Sequence, residues 1–207
     1  DAAAIKAIEE RTNHDVKAVE YFIKEKVSSI GLEKWSEFVH FGLTSQDVNN
    51  TAMPMAIRDS VREVMKPLLV SLRDALDRMA AGWADIPMLA RTHGQPASPT
   101  RLGKEIAVFT ERIDSELTTL MTMKYSGKFG GATGNFNAHR VAYPDVNWPE
   151  FADRLLNERL GLERQQTTTQ IEHYDGLAAL FDCLSRINTI ITDLCRDIWS
   201  YISMDYF

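Results

Sequence analysis

A chain of 207 residues, 44% hydrophobic and 25% charged, can bury one good-sized core, or one core and part of another. Its formal charge of −6 leaves no basic stripe to neutralise phosphates, which excludes a general nucleic-acid binder. No apolar run approaches the roughly eighteen residues of a membrane span, and the start carries no signal-peptide pattern.

Residues 2–11 read as a helix that Thr12-Asn13-His14-Asp15 interrupts. A second helix follows over 15–29, with Val16, Val19, Phe22, Ile23 and Val27 spaced along one side. Asn13 suits its N-cap and Asp15 its first turn, where negative charge is favoured. His14 is left without a structural reason. A short helix near Glu33–Phe41 leads to His40-Phe41-Gly42-Leu43-Thr44-Ser45-Gln46-Asp47, in which Gly42 ends one element and Thr44-x-x-Asp47 has the form of a capping box. The same helix start, with free N–H groups and two hydroxyls, is also suited to binding a carboxylate or phosphate.

From Ser45 to about Ala84 the pattern is one very long helix, with Val61, Met65, Leu68, Leu72, Leu76 and Met79 recurring every three or four residues. Kinks are expected at Pro54 and Pro67. Ala90-Arg91-Thr92-His93-Gly94-Gln95-Pro96-Ala97-Ser98-Pro99 then breaks the pattern. Gly94 and the two prolines bar a helix, and the predicted form is a rigid, irregular, polar connection of the kind that carries function. Ser98 as N-cap and Pro99 as first helical residue would explain only its end.

A helix over about 99–124 carries Leu102, Ile106, Phe109, Ile113, Leu117 and Leu120. The glycine-rich stretch 127–139 lacks the Gly-Lys-Ser/Thr ending of a phosphate loop. It reads as a tightly folded loop that could line a pocket, with His139 structural. A short helix over about 149–160 precedes the polar run Gln165–His173. In the last helix, about 174–205, Leu177, Leu180, Leu184, Ile187, Ile191, Leu194, Ile198 and Tyr201 form a heptad seam. Phe181, Ile190 and Ile202 are apolar off that seam, so more than one face is expected to be buried, in a bundle that continues into partner subunits. Cys183 and Cys195 lie on this helix about 18 Å apart along its axis, too far to bridge, and two buried thiols in an acidic chain suggest the cytoplasm. Helix-forming sequence at the start, and no Gly or Pro stop at Met204–Phe207, suggest a piece of a longer chain.

Asn13-His14-Asp15, His40-Phe-Gly-Leu-Thr-Ser-x-Asp47, Arg91-Thr-His-Gly-Gln-Pro-Ala97 and Thr169-Gln-Ile-Glu172, in this order on long helices, strongly resemble the adenylosuccinate lyases of the fumarase/aspartase superfamily. The resemblance extends over essentially the whole chain, including Lys17–Phe22 and Phe136–His139. It implies an all-α, long-helix bundle truncated at both ends, with residues 1–43 ending the N-terminal domain and 44–207 forming part of the central tetramerisation domain. It also implies β-elimination of fumarate from a purine nucleotide, no metal or organic cofactor, and a homotetramer with active sites shared between subunits.

Under the resemblance, His93 is the general acid, a role that suits an imidazole with an ordinary pKa of about 6.5. Thr44, Ser45, Thr92 and Gln170 would hold the carboxylates as negative charge builds, and Asn13, His14 and Asp15 would contact the nucleotide or orient the acid. One departure matters. The family's base is a serine on a mobile loop carrying Met-Pro-x-Lys-x-Asn, and no such sequence occurs here; arginines for the phosphate are also missing. The 207 residues are therefore expected to be inactive alone. Two other readings are another lyase of the superfamily, argininosuccinate lyase nearest, and a non-catalytic helical assembly module, which would have no need of His93 beside Thr92 and Gln95.

Overall fold

The computed structural model describes residues 1–206. It divides into two compact units, one formed by Asp1–Ala56 with Lys124–Tyr174, the other by Ile57–Met123 with the residues from Asp175 on. Helices dominate both. Among the described residues no helix is long and apolar enough to cross a membrane.

In the first unit α1 (Ala2–Thr12) and α2 (Asp15–Ser29) pack together, and a 3-10 helix, Glu33–His40, packs on α2. Helix α3 (Ser45–Ser60) begins here. Asn13 differs from its expected role. It does not cap α2; it takes the left-handed conformation (φ 49°) that ends α1, donating its N–H to the Glu9 carbonyl. Asparagine tolerates that conformation better than most residues. The N-cap of α2 is His14. Glu20, on α2, is buried and receives Lys17, Lys24 and His40 at 2.8, 3.0 and 2.9 Å, fixing the 3-10 helix to α2. Burial alone would raise its carboxyl, but the hydrogen bonds from the two lysines outweigh this and hold it below the usual range.

The rest of the unit is built on aromatic packing. Helices α6 (Asn137–Ala142) and α7 (Trp148–Asp153) lead into a π-helical segment, Arg154–Arg159. Phe136, Trp148 and Ala152 form a buried cluster against which Phe41 and Phe129 lean.

In the second unit α4 (Lys66–Gly82), α5 (Leu102–Thr122) and α8 (Asp175–Ser203) share a core. The line of apolar residues on α5 is buried as its spacing requires: Leu102, Ile106, Phe109, Ile113, Leu117 and Leu120. Gly103 lets the start of α5 close on the end of α4, since a Cβ there would lie 2.2 Å from the Ala80 carbonyl oxygen. The chain stays helical from Ser45 to Gly82, but Val61–Met65 widens into a π-helix just before Pro67. Proline has no N–H to donate and its ring crowds the preceding turn, and a wide turn relieves both.

On α8 the fully buried line is Leu180, Cys183, Ile187, Ile190 and Leu194, while Leu184 and Ile191 of the expected seam are half-buried. The helix is rotated so that Cys183 and Ile190 share the buried line. Phe181, Trp199 and Ile202 stay well exposed. Only one of the two thiols is buried: Cys195 is exposed. The Cys183 thiol is pushed up to about 11, by burial first and then by its hydrogen bond to Glu116.

The main correction concerns the stretch around His93. It is a β-hairpin, β1 (Pro87–Thr92) antiparallel to β2 (Gln95–Arg101), with a bulge between Leu89 and Arg91. Pro99 faces Leu89 and Pro96 faces Arg91 in the register. The prolines favour extended backbone in themselves and in the residues before them, and a two-stranded ribbon tolerates their missing N–H groups. Ser98 and Pro99 therefore lie in β2 rather than starting a helix, and Arg101 is the N-cap of α5.

Candidate functional site

The hairpin turns through just two residues, His93 and Gly94, with φ of 53° and 74°. Positive φ at both positions is the requirement of a type I′ turn, whose twist matches the strands. Glycine meets it freely, but histidine does so under strain of about 1–2 kcal/mol. The turn is braced by Arg91, whose guanidinium donates to the Gly94 carbonyl at 3.2 Å. Thr92, His93 and Gln95 are exposed at the tip. The imidazole is thus held out from a rigid ribbon, not packed in a core.

His14 has a defined geometry. Its Nδ1 accepts the Lys17 N–H at 3.3 Å, capping α2. The same Nδ1 lies 3.3 Å from Asp15 Oδ1, so the ring is held between the helix start and a carboxylate. Asp15 accepts the Val16 N–H at 2.7 Å. Asn13, His14 and Asp15, with Lys6, Glu9 and Glu10, line an open depression of about 680 Å³. Its three carboxylates, with Lys6 as the one cation of the lining, disfavour an anionic group such as a phosphate.

Thr44 and Ser45 stand at the start of α3, where half of the expected capping box is made: Asp47 accepts the Thr44 N–H at 2.8 Å. Asp47 is also the hub of a buried network that the sequence reading missed. Lys128, fully buried, places its Nζ 2.9 Å from Asp47 and 2.7 Å from the Gly131 carbonyl. The N–H groups of Gly130 and Gly131 also donate to Asp47. The glycine loop is thereby drawn under the Thr44–Ser45 turn. A Cβ on Gly131 would lie 3.0 Å from the Gly42 carbonyl oxygen, and one on Gly134 would lie 2.3 Å from that of Thr168. The Gly42 and Thr168 carbonyls thus both rest on one glycine loop, and Thr44, Ser45 and Gln170 all belong to the first unit. Thr92 and His93 belong to the second unit.

His139 is structural, as expected from its sequence. It is fully buried, ringed by Phe41, Phe129, Phe136 and Trp148, and neither ring nitrogen makes a hydrogen bond of good geometry. Burial pushes its pKa below 6.5, with the charge of Asp47 opposing. The unfolded chain therefore binds this proton more readily than the folded one, and stability conferred by the neutral ring is lost as pH falls from about 6.5 through the lower folded value. Urea midpoints measured between pH 7.5 and 5 are expected to fall, and in His139→Leu this component of the slope should vanish; an unchanged slope would mean the ring is not held neutral by the fold.

A signal for the buried network was present in the sequence. Asp47, Asn50 and Thr51 follow one another at helical spacing where an apolar stripe is otherwise expected, and Lys128 is a lone cation among glycines and aromatics. Neither observation names the partner. Among the described residues no group of three or more His, Cys, Asp or Glu side chains is placed to hold a metal ion.

Comparison with known proteins places these features in a family. A family model described as "Lyase" matches residues 1–207. The chain is 54% identical to the adenylosuccinate lyase of Dictyostelium discoideum, with 100% of this chain and 46% of that protein aligned. It is 47% identical to the adenylosuccinate lyase of Escherichia coli K12, covering 100% of this chain and 45% of that protein. It thus spans about half the length of these curated relatives. Among solved structures, 3-carboxy-cis,cis-muconate lactonizing enzyme from Pseudomonas putida superposes with a TM-score of 0.77 at 25% identity, over 95% of this chain and 43% of that one. Fumarate lyase from Mesorhizobium sp. BNC1 shares the fold, with a TM-score of 0.81 at 23% identity over 98% of this chain and 45% of that one.

Proposed function

Because this chain belongs to the lyase family whose model spans all its residues, we propose that it supplies the acid and the dicarboxylate donors of an adenylosuccinate lyase. The reaction is β-elimination of fumarate from adenylosuccinate, giving AMP, and from succinyl-aminoimidazole-carboxamide ribotide. A base removes a carbon-bound proton beside a carboxylate. The carbon–nitrogen bond then breaks with its electron pair going to the purine nitrogen, which takes a proton from His93. Thr44 and Ser45 at the start of α3, together with Thr92 and Gln170, hold the carboxylates as charge develops. Asn13, His14 and Asp15 contact the nucleotide. This chemistry calls on no metal or organic cofactor.

The observation that carries this reading is the placement of His93. A histidine in the left-handed region at a two-residue turn is strained where Gly or Asn would not be, and it displays an imidazole free of the core. Exposed Phe181, Trp199 and Ile202 on α8 support association through that helix, and the assembly proposed is a homotetramer. The setting proposed for the enzyme is the cytoplasm.

Fumarate release tests the reading. An enzyme of full family length carrying these residues should cleave adenylosuccinate, with AMP but not arginine binding to it. The 207 residues alone, which contain no Met-Pro-x-Lys-x-Asn loop, should release none. Fumarate release by the isolated chain at a comparable rate would overturn the assignment of the base to that loop.

A further inference from the structure

Residues Gln165–Tyr174 have no regular secondary structure, so the position of Gln170 depends on what pins the segment at each side of it. On one side, the Thr168 carbonyl abuts Gly134, close enough that any Cβ there would collide. On the other side the pin is Asn50. Its side chain, 2% exposed, comes from the second turn of α3. Its Oδ1 accepts the Glu172 N–H at 3.0 Å, and its Nδ2 donates to the Tyr174 hydroxyl at 2.8 Å. Glu172 closes the knot, accepting the Tyr174 N–H at 2.7 Å and the Gln165 amide. Tyr174 is held at φ 63° in doing so.

From these contacts we infer that Asn50 is a positioning residue for the dicarboxylate site. It ties the segment bearing Gln170 to the helix whose start bears Thr44 and Ser45, and so fixes the spacing between the two sets of donors. Asn50 commits its amide to the Glu172 N–H and the Tyr174 hydroxyl, so it acts through the segment. Both its amide atoms are engaged, which leaves no rotational freedom. The inference rests on the function proposed above. It adds a division of labour: loss of Asn50 should weaken the grip on the dicarboxylate and leave the nucleotide side, carried by Asn13–Asp15, alone.

The test uses an enzyme of full family length carrying these residues, with adenylosuccinate as substrate and fumarate and AMP as separate inhibitors. Asn50→Ala is expected to lower kcat/KM about 10- to 100-fold, the scale of a misplaced binding group. It should weaken inhibition by fumarate at least tenfold, with inhibition by AMP within twofold of the parent. Tyr174→Phe, which removes one of the two bonds, should show the same split at a smaller size, about 2- to 5-fold. If Asn50→Ala does not fold, Tyr174→Phe decides alone. Parent-like fumarate inhibition in the folded variants would overturn the inference, as would equal weakening by fumarate and AMP, the signature of general loosening. A parent enzyme with no adenylosuccinate turnover would instead overturn the reading beneath it, and the inference with it.

Discussion

Replacing His93 with asparagine is expected to make the protein more stable and the enzyme inactive. At position 93 the backbone is left-handed and is followed by Gly94. Asn-Gly is the preferred pair for such a turn, and asparagine occupies that region at lower cost than histidine. The gain should be about 0.5–1 kcal/mol, which for a chain of this size raises the melting temperature by about 1–4 °C. Turnover, in an enzyme of full family length, should drop by about 10²–10⁴-fold, the usual contribution of a general acid. The pairing of the two effects is diagnostic, because a damaged fold would lower both. Calorimetry and fumarate release on the same preparation measure them. Retained turnover would show that another group protonates the leaving nitrogen, and the strained histidine would then need a different explanation.

Replacing Lys128 with methionine should remove about 3–5 kcal/mol of stability. Among the described residues its ammonium is the cation paired with Asp47, in an interior where both side chains are at most 1% exposed. Methionine fills similar space but leaves a buried carboxylate without a counter-charge, and uncompensated buried charge is among the most damaging single changes. In many buried ion pairs, replacing both partners with apolar groups restores stability. Here it should not. Asp47 also accepts the N–H groups of Thr44, Gly130 and Gly131, and Asp47→Leu with Lys128→Met would orphan all three, at about 1–3 kcal/mol each. Urea unfolding of the two variants decides. If the double variant regains the parent's midpoint, the pair is a simple salt bridge and the glycine loop holds its shape without it.

These two residues differ in how far they could be read from the chain alone. The break in helical pattern around His93 was plain, since Gly94, Pro96 and Pro99 disallow a helix, and the residues there already singled out the imidazole. That the break would be a two-residue hairpin was not plain. Paired prolines look like loop signals, and only the facing strand makes an extended conformation pay. His14 shows the same limit on a smaller scale. The interruption at 12–15 was evident and Asn13 suited the N-cap there, but Asn13 takes the left-handed φ that ends α1, and the cap falls to His14.

What the sequence determined by itself is the set of features that depend on neighbours a few residues away. These are the long helices, the apolar line on α5, the points where helices stop, and the motifs that mark the family; on α8 packing chose a line rotated from the heptad seam. What only the tertiary structure decided is the partnering of buried polar groups: Asp47 with the Gly130 N–H, 83 residues on, Asn50 with Glu172, 122 residues on, and His139 within its aromatic ring of neighbours. Local preference comes from the backbone sterics and hydrogen bonds of a single turn or strand. A buried polar side chain instead takes whichever partner packing brings within about 3 Å, and no rule of spacing along the chain specifies which distant residue that will be.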